Sequence, residues 1–203
     1  MSQSAHCTGA ILAGGRATRF GGGAKGLELV GGVRMIDRVA AALRESCDDL
    51  IIVAGDPAAA RWIPGVRAVA DVRPGAGPLG GLHSALTDAR DAVLVLAWDS
   101  PFVPAGLMHA LRAAGEDGAA DAAVPSSHSL WGFEPLCAWY RGSCRPAIER
   151  RIDAGDLRAA GWQDDVTTVR VDASPWGDPD EIFFSVNSPS DLAVANARPG
   201  RTP

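Results

Sequence analysis

Short apolar runs alternate along this chain with longer segments whose apolar residues recur at every third or fourth position. The runs at 9–12, 50–54, 68–70, 93–97, 122–125, 135–139 and 168–171 are β-branched or Leu-rich and predict strands. Between them, 35–44 carries Ile36, Val39, Ala40 and Leu43 at helical spacing, with Arg38 and Arg44 on the other side. Further helices are predicted at 79–89, at 104–114 with Pro104 in the first turn, and at 144–154. A last helix opens at Ser188-Pro189-Ser190-Asp191 and runs to Ala197. Strands alternating with helices predict a single-domain, three-layer α/β/α fold with a mostly parallel sheet covered on both faces.

The chain has 203 residues, enough for one domain that buries roughly 70% of the surface exposed by its unfolded chain. Cys7, Cys47, Cys137 and Cys144 form no C-x-x-C pair and read as reduced thiols. Residues 1–7 carry no basic segment followed by a long apolar run, so neither a signal peptide nor a membrane span is expected, and a cytoplasmic location is. A net charge of -5 argues against nucleic acid as a partner, because phosphate-backbone affinity comes from clustered Lys and Arg. Any anion site must be local.

Residues 10–25, Ala-Ile-Leu-Ala-Gly-Gly-Arg-Ala-Thr-Arg-Phe-Gly-Gly-Gly-Ala-Lys, supply such a site. The apolar run stops at Gly14 and Gly15, cations follow at Arg16 and Arg19, and Lys25 closes a glycine-rich loop. Glycine lets backbone N–H groups approach phosphate oxygens, while Arg19 and Lys25 add a planar fork and a point charge, so a triphosphate is the natural guest. The familiar phosphate motifs do not fit: G-x-G-x-x-G is missing, and Ala24 stands where a P-loop needs glycine before its lysine. The next helix waits until about Met35, roughly twenty residues on, and connections of that length commonly carry function. With so few cations, backbone donors and a divalent metal must complete the positive field.

Asp71 and Asp99 end the runs 67–71 and 93–99, and ligands of open parallel sheets bind where strands end in this way. Both acids are candidates to face one Mg²⁺, which takes one or two carboxylates and fills its shell with water and phosphate. Between them, Arg73-Pro-Gly-Ala-Gly-Pro-Leu-Gly-Gly81 leads into a helix whose N-terminus is a second contact for a base, ribose or phosphate. A tight turn is an equal account of the same residues.

At this point the motifs carry a resemblance. Leu12-Ala-Gly-Gly15, Arg19-Phe-Gly, Lys25-Gly-Leu, Asp71 with Gly77-Pro-Leu-Gly80, Asp99-Ser-Pro, Glu134-Pro-Leu-Cys-Ala138 and Val186-Asn-Ser-Pro-Ser-Asp-Leu192 occur in order over residues 8–197. Together they resemble the molybdenum cofactor guanylyltransferase family. The resemblance implies one Rossmann-like nucleotidyltransferase domain over 8–197, with flexible termini at 1–7 and 198–203. It implies transfer of GMP from GTP to the terminal phosphate of molybdopterin, with Mg²⁺ and release of pyrophosphate. By motif position, Leu12, Ala13, Gly14 and Gly15 line the nucleotide site, Lys25 holds phosphates with Arg19 beside it, and Asp71 contacts guanosine. Gly77, Pro78 and Leu79 lie near the base, Asp99 binds Mg²⁺, and Asn187 touches the acceptor. GTP and molybdopterin are the implied partners, with molybdoenzymes or their chaperones as receivers of product. Two positions depart from the family pattern: Ser185 replaces an asparagine, and Trp98 stands before the metal aspartate in place of a small residue or cysteine.

The chemistry is consistent with this. A phosphate monoester has its second pKa at about 6, so it is a nucleophile at neutral pH without a general base. None of His6, His83, His109 and His128 shows a nucleophile partner. Trp131, Phe133 and Trp139 with Glu134 either border a pterin or form a core strand, and Arg141, Arg145, Arg150 and Arg151 either meet an anion or make a solvated helix face. Three other readings stay open: transfer from CTP to the pterin, transfer from another triphosphate to a sugar phosphate, and a binding protein without turnover. Gly14-Gly15 resembles the guanine-selecting version of the loop. All nucleotidyl-transfer readings require Lys25 and Asp99 to converge.

Overall fold

Period-two alternation in the strands sorts the core into two halves. In β1 (Cys7–Leu12), Ile11 faces one side while Ala10 and Leu12 face the other, and β4 (Asp49–Val53) and β6 (Ala92–Ala97) repeat the pattern with Ile52 against Ile51 and Val53, and Leu94 and Leu96 against Val93 and Val95. Such strands are buried on both faces, so each face needs a helical layer. The computed structural model describes residues 5–14 and 24–198. On the first face lie α1 (Met35–Arg44) and α3 (Ala105–Glu116); on the second lie α2 (Gly77–Asp88) and α4 (Arg145–Asp153).

The remaining sheet strands are β5 (Arg67–Val69), β7 (Ala122–Pro125), β8 (Cys137–Arg141) and β9 (Thr168–Val171), and the order across the sheet is β5-β4-β1-β6-β8-β7-β9. All pairings are parallel except those of β8 with β6 and β7. The chain winds from β1 through β4 to β5, then returns to place β6 on the other side of β1. The carboxyl ends of β1 and β6 therefore bound a topological switch point, the crevice where open α/β sheets bind ligands. Every predicted strand and helix is present, with ends shifted by a few residues. The single-domain α/β reading holds.

The stretch after Lys25 was expected to be loop up to Met35 and is not. Lys25–Leu27 form one 3₁₀ turn, and β2 (Leu29–Val30) and β3 (Val33–Arg34) form a hairpin. Its two central residues, Gly31 (φ 59°) and Gly32 (φ 80°), both sit in left-handed space, as the tightest hairpin turn requires. The Gly-Gly pair between Val30 and Val33 was the available signal. Arg38 also differs from its expected outward position: it is 7% exposed and donates from Nε to the Val30 carbonyl at 3.0 Å, which braces the hairpin on α1. The amino-terminal boundary is earlier too, since Cys7 is fully buried in β1 and donates its N–H to Asp48 Oδ2 at 2.8 Å. Arg198, expected in a loose tail, lies over the rings of Phe102 and Phe184. Two further helices close the described chain, α5 (Pro179–Ile182) and α6 (Pro189–Ala197).

Trp139 of β8 is 1% exposed and lies against Gly115 of α3, where a Cβ would sit 2.6 Å from Cζ3 and closer to other ring atoms. Replacing a helical glycine with alanine ordinarily gains up to about 1 kcal/mol, whereas overpacking a core costs about 1–3 kcal/mol. Gly115→Ala is therefore expected to reverse the propensity rule and destabilise the fold. The check is a lower urea midpoint at unchanged m-value; a raised midpoint would contradict the packing described.

Candidate active site

Three segments distant in sequence meet at the switch point. Lys25 Nζ lies 2.5 Å from Asp99 Oδ2 and 2.9 Å from Asn187 Oδ1. The two charged side chains are 12% and 16% exposed, so the pair is largely out of water while its open side faces solvent. Asp99 follows β6. Its neighbour Trp98 donates its N–H to the Leu12 carbonyl at 3.2 Å, and the Asp99 carbonyl accepts from Val186 N–H at 2.9 Å. The aspartate is thereby clamped between the end of β1 and the segment leading into α6.

Asn187 is oriented by a reciprocal cap. Ser188 Oγ accepts from Asp191 N–H at 3.2 Å, and Asp191 Oδ2 accepts from Asn187 N–H at 2.9 Å, with Pro189 at the first helical position. The supporting pair Ser188 and Asp191 was not singled out as functional from sequence, although its Ser-x-x-acid spacing marks a helix start. Asn196 of α6 holds the hairpin, its Oδ1 accepting from Gly31 N–H at 2.9 Å and its Nδ2 donating to the Leu29 carbonyl at 3.0 Å.

The other expected site residues divide. Gly14 is exposed with open space around it. Leu12 and Leu79 are 7% and 0% exposed, so their side chains belong to the core and only their backbones border the crevice. Leu12 O and Ala13 N–H are already engaged in the sheet, with Trp98 and Val53. Gly77 opens α2 at φ 58°, a conformation that favours glycine, and Pro78 follows without an N–H to offer. Gly15, Arg16 and Arg19 lie outside the described residues.

Asp71 and Asp99 leave strands that are not neighbours. In the order β5-β4-β1-β6, Asp71 follows β5 and Asp99 follows β6, strands that lie three spacings or about 14 Å apart. Among the described residues, no three His, Cys, Asp or Glu side chains gather into a metal cage. Asp99 still offers a hard carboxylate oxygen and Asn187 an amide oxygen, a set that suits Mg²⁺ when phosphate and water supply the other ligands.

Of the aromatic candidates, Trp139 and Phe133 are core at 1% and 7% exposure, and Trp131 alone is open to solvent, with Arg158 over its ring. Glu134 accepts from Ser127 Oγ at 2.7 Å, and burial raises its carboxyl above the usual range. Arg145, Arg150 and Arg151 pair with Glu149, Asp156 and Asp165, and Arg141 donates to the Ala120 carbonyl. These arginines make a solvated helix face and a strand brace. His83 is buried against Glu149 and His128 is exposed beside Asp180, neither next to a nucleophile.

With this geometry in view, comparison with known proteins is decisive: residues 9–166 match the family described as MobA-like NTP transferase domain. The chain belongs to that family. It is 34% identical to the molybdenum cofactor guanylyltransferase of Desulfosudis oleivorans, with 94% of each chain covered. It is 32% identical to the molybdenum cofactor guanylyltransferase of Burkholderia lata, covering 97% of this chain and 98% of the relative. The crystal structure of molybdopterin-guanine dinucleotide biosynthesis protein A from Archaeoglobus fulgidus aligns with TM-score 0.77 at 26% identity, over 93% of this chain and 96% of that one. The protein is thus an enzyme of the nucleotidyltransferase class, and the family supports guanylyl transfer. Among the described residues, no helix is long and apolar enough to cross a membrane.

Asp71 is half-buried, and desolvation raises its pKa. A carboxyl whose folded pKa exceeds its unfolded value costs stability when ionised. That cost is fully present above the folded pKa and vanishes below the unfolded one. Asp71→Asn is expected to raise Tm at pH 7 and to leave it unchanged near about pH 3. Thermal scans at the two pH values check this, and a lower Tm at pH 7 would assign Asp71 a stabilising role instead.

Proposed function

We propose that this enzyme transfers GMP from GTP to the terminal phosphate of molybdopterin. One observation carries the reading: Lys25, Asp99 and Asn187 converge at the switch point of a sheet whose family performs nucleotidyl transfer. An oxygen of the acceptor phosphate attacks the α-phosphorus of GTP, the bond from that phosphorus to the bridging oxygen breaks, and pyrophosphate leaves with the electron pair. The obstacle is repulsion between two polyanions, so positioning and positive field do the work rather than acid–base chemistry.

Lys25 has three donors and uses two on Asp99 and Asn187. When a triphosphate enters, this ammonium is placed to bond phosphate oxygens, and Arg19 would add a second cation. Asp99 would hold Mg²⁺, with Asn187 beside it toward the acceptor; bound there, the metal supplies charge neutralisation at the phosphates. Gly14 and Gly15 let the chain approach the triphosphate closely, and Asp71, three strands away, meets the guanosine end with Gly77 and Pro78 along the crevice. GTP, molybdopterin and a receiving molybdoenzyme or its chaperone are the partners in this reading, and the cytoplasm is its setting.

The test measures pyrophosphate release by purified enzyme with molybdopterin, Mg²⁺ and each nucleoside triphosphate in turn. GTP is expected to support turnover and CTP and UTP are not; turnover with CTP in preference would overturn the nucleotide assignment. Asp99→Asn is expected to lower kcat about 100- to 1,000-fold, the scale of losing one major electrostatic contact to the transition state. Chelation of divalent cations is expected to stop turnover, and Mg²⁺ to restore it. Undiminished turnover in Asp99→Asn would remove Asp99 from the reaction.

A further inference from the structure

Trp98, one of the two positions that depart from the family pattern, has a structural task that its neighbours define. It is 3% exposed and stacks on Trp62, with ring centroids 5.3 Å apart and planes inclined by 23°. The six-membered ring of the same indole abuts Gly26. A Cβ built on Gly26 would lie 2.8 Å from Trp98 Cδ2 and 3.1 Å from Cζ3, with Cε3 nearer still. All three atoms belong to the six-membered ring, and no other group comes among the nearest atoms. Gly26 is itself buried and sits in the 3₁₀ turn Lys25–Leu27, immediately after the lysine of the candidate site.

We infer that Trp98 is a positioning residue for the nucleotidyl-transfer site: the Trp62–Trp98 stack is a shelf that sets the height of Gly26 and so aims Lys25 at Asp99. The same residue controls both ends of the ion pair. Its ring supports the turn that carries Lys25, and its backbone N–H, bonded to the Leu12 carbonyl, fixes the strand end that carries Asp99. Among the described residues Trp98 Nε1 is buried with no hydrogen-bond partner, and an unpaired buried N–H is a cost that an apolar side chain of similar size would not carry. The rigid ring is what the site uses: a backbone without a side chain packs directly against it.

The inference rests on the reading of Lys25 and Asp99 as the reacting site, and it makes a reciprocal prediction about two residues. Gly26→Ala adds a methyl where the ring already is and displaces Lys25. Misplacement of a reacting group by about 1 Å costs on the order of 100-fold in rate, so kcat is expected to fall by about that factor with KM for GTP changed less. Trp98→Leu opens the space, and in that background Gly26→Ala is expected to cost no more than about 3-fold. This non-additivity is the coupling that a double-mutant cycle reads. Trp98→Phe, which keeps a six-membered ring, is expected to retain activity within about 5-fold of the parent.

The cycle is measured by pyrophosphate release with GTP, Mg²⁺ and molybdopterin, and in parallel by calorimetric binding of GTP with Mg²⁺. Each variant is first shown to be folded by its circular dichroism and Tm. Should Trp98→Leu fail to fold, Trp98→Phe and Trp98→Met with and without Gly26→Ala complete the same cycle. Equal Gly26→Ala losses with and without the indole would overturn the inference. An undisturbed kcat in Gly26→Ala would do so too. If the parent enzyme releases no pyrophosphate under any condition, the functional reading fails instead, while the binding cycle still reports whether the shelf positions the turn.

Discussion

The Lys25–Asp99 ion pair is the contact around which this molecule is arranged. Its partners are 74 residues apart, and Asn187, the third member, is 162 residues from Lys25. Opposite charges about 4 Å apart at an effective dielectric of about 20 attract by about 4 kcal/mol, and most of that is offset by the loss of water around each group. Such a pair adds little net stability. Under the proposed reading, it keeps a cation and a carboxylate desolvated, oriented and able to exchange partners when a triphosphate arrives.

Holding that pair requires rigid supports on three sides, and each is local chemistry at the end of an element. Asp99 is pinned where β6 leaves the sheet, its neighbour bonded back to β1. Lys25 is carried by a short turn whose glycine rests on an indole, and the hairpin that follows is tied to α1 through Arg38 and to α6 through Asn196. Asn187 is set by the reciprocal cap of α6. The carboxyl ends of β6, β1, β4 and β5 lie in a row between them and the loop that carries Asp71. Under the proposed reading, that length separates the site of metal and phosphate chemistry from the site of base recognition.

Much of this was legible in the residues. Alternating strands with both faces apolar, helices with one apolar stripe, Pro189 after Ser188, and glycines at a strand end all act through neighbours a few positions away, so the chain order displays them. The seven sheet strands and the four main helices followed from that, and Lys25, Asp99 and Asn187, named through the family resemblance, meet in the fold. The hairpin at 29–34 was missed because its strands are two residues long and carry almost no periodicity, although the Gly31-Gly32 pair was a usable sign. Glu134, Phe133 and Trp139 looked like a possible ring-binding strand, and burial assigned the two aromatics to the core.

Element identity and the family of the protein are thus properties of local order along the chain. Distances between chain-remote groups are not. That Asp71 and Asp99 leave strands about 14 Å apart follows from the placement of β4 and β1 between them. That Trp98 lies beneath Gly26, and Arg38 beneath the hairpin, follows from how layers stack on the sheet. Hydrophobic periodicity says which face of a strand is buried, but the strand order and the helix that covers each face emerge only when the whole core packs at once.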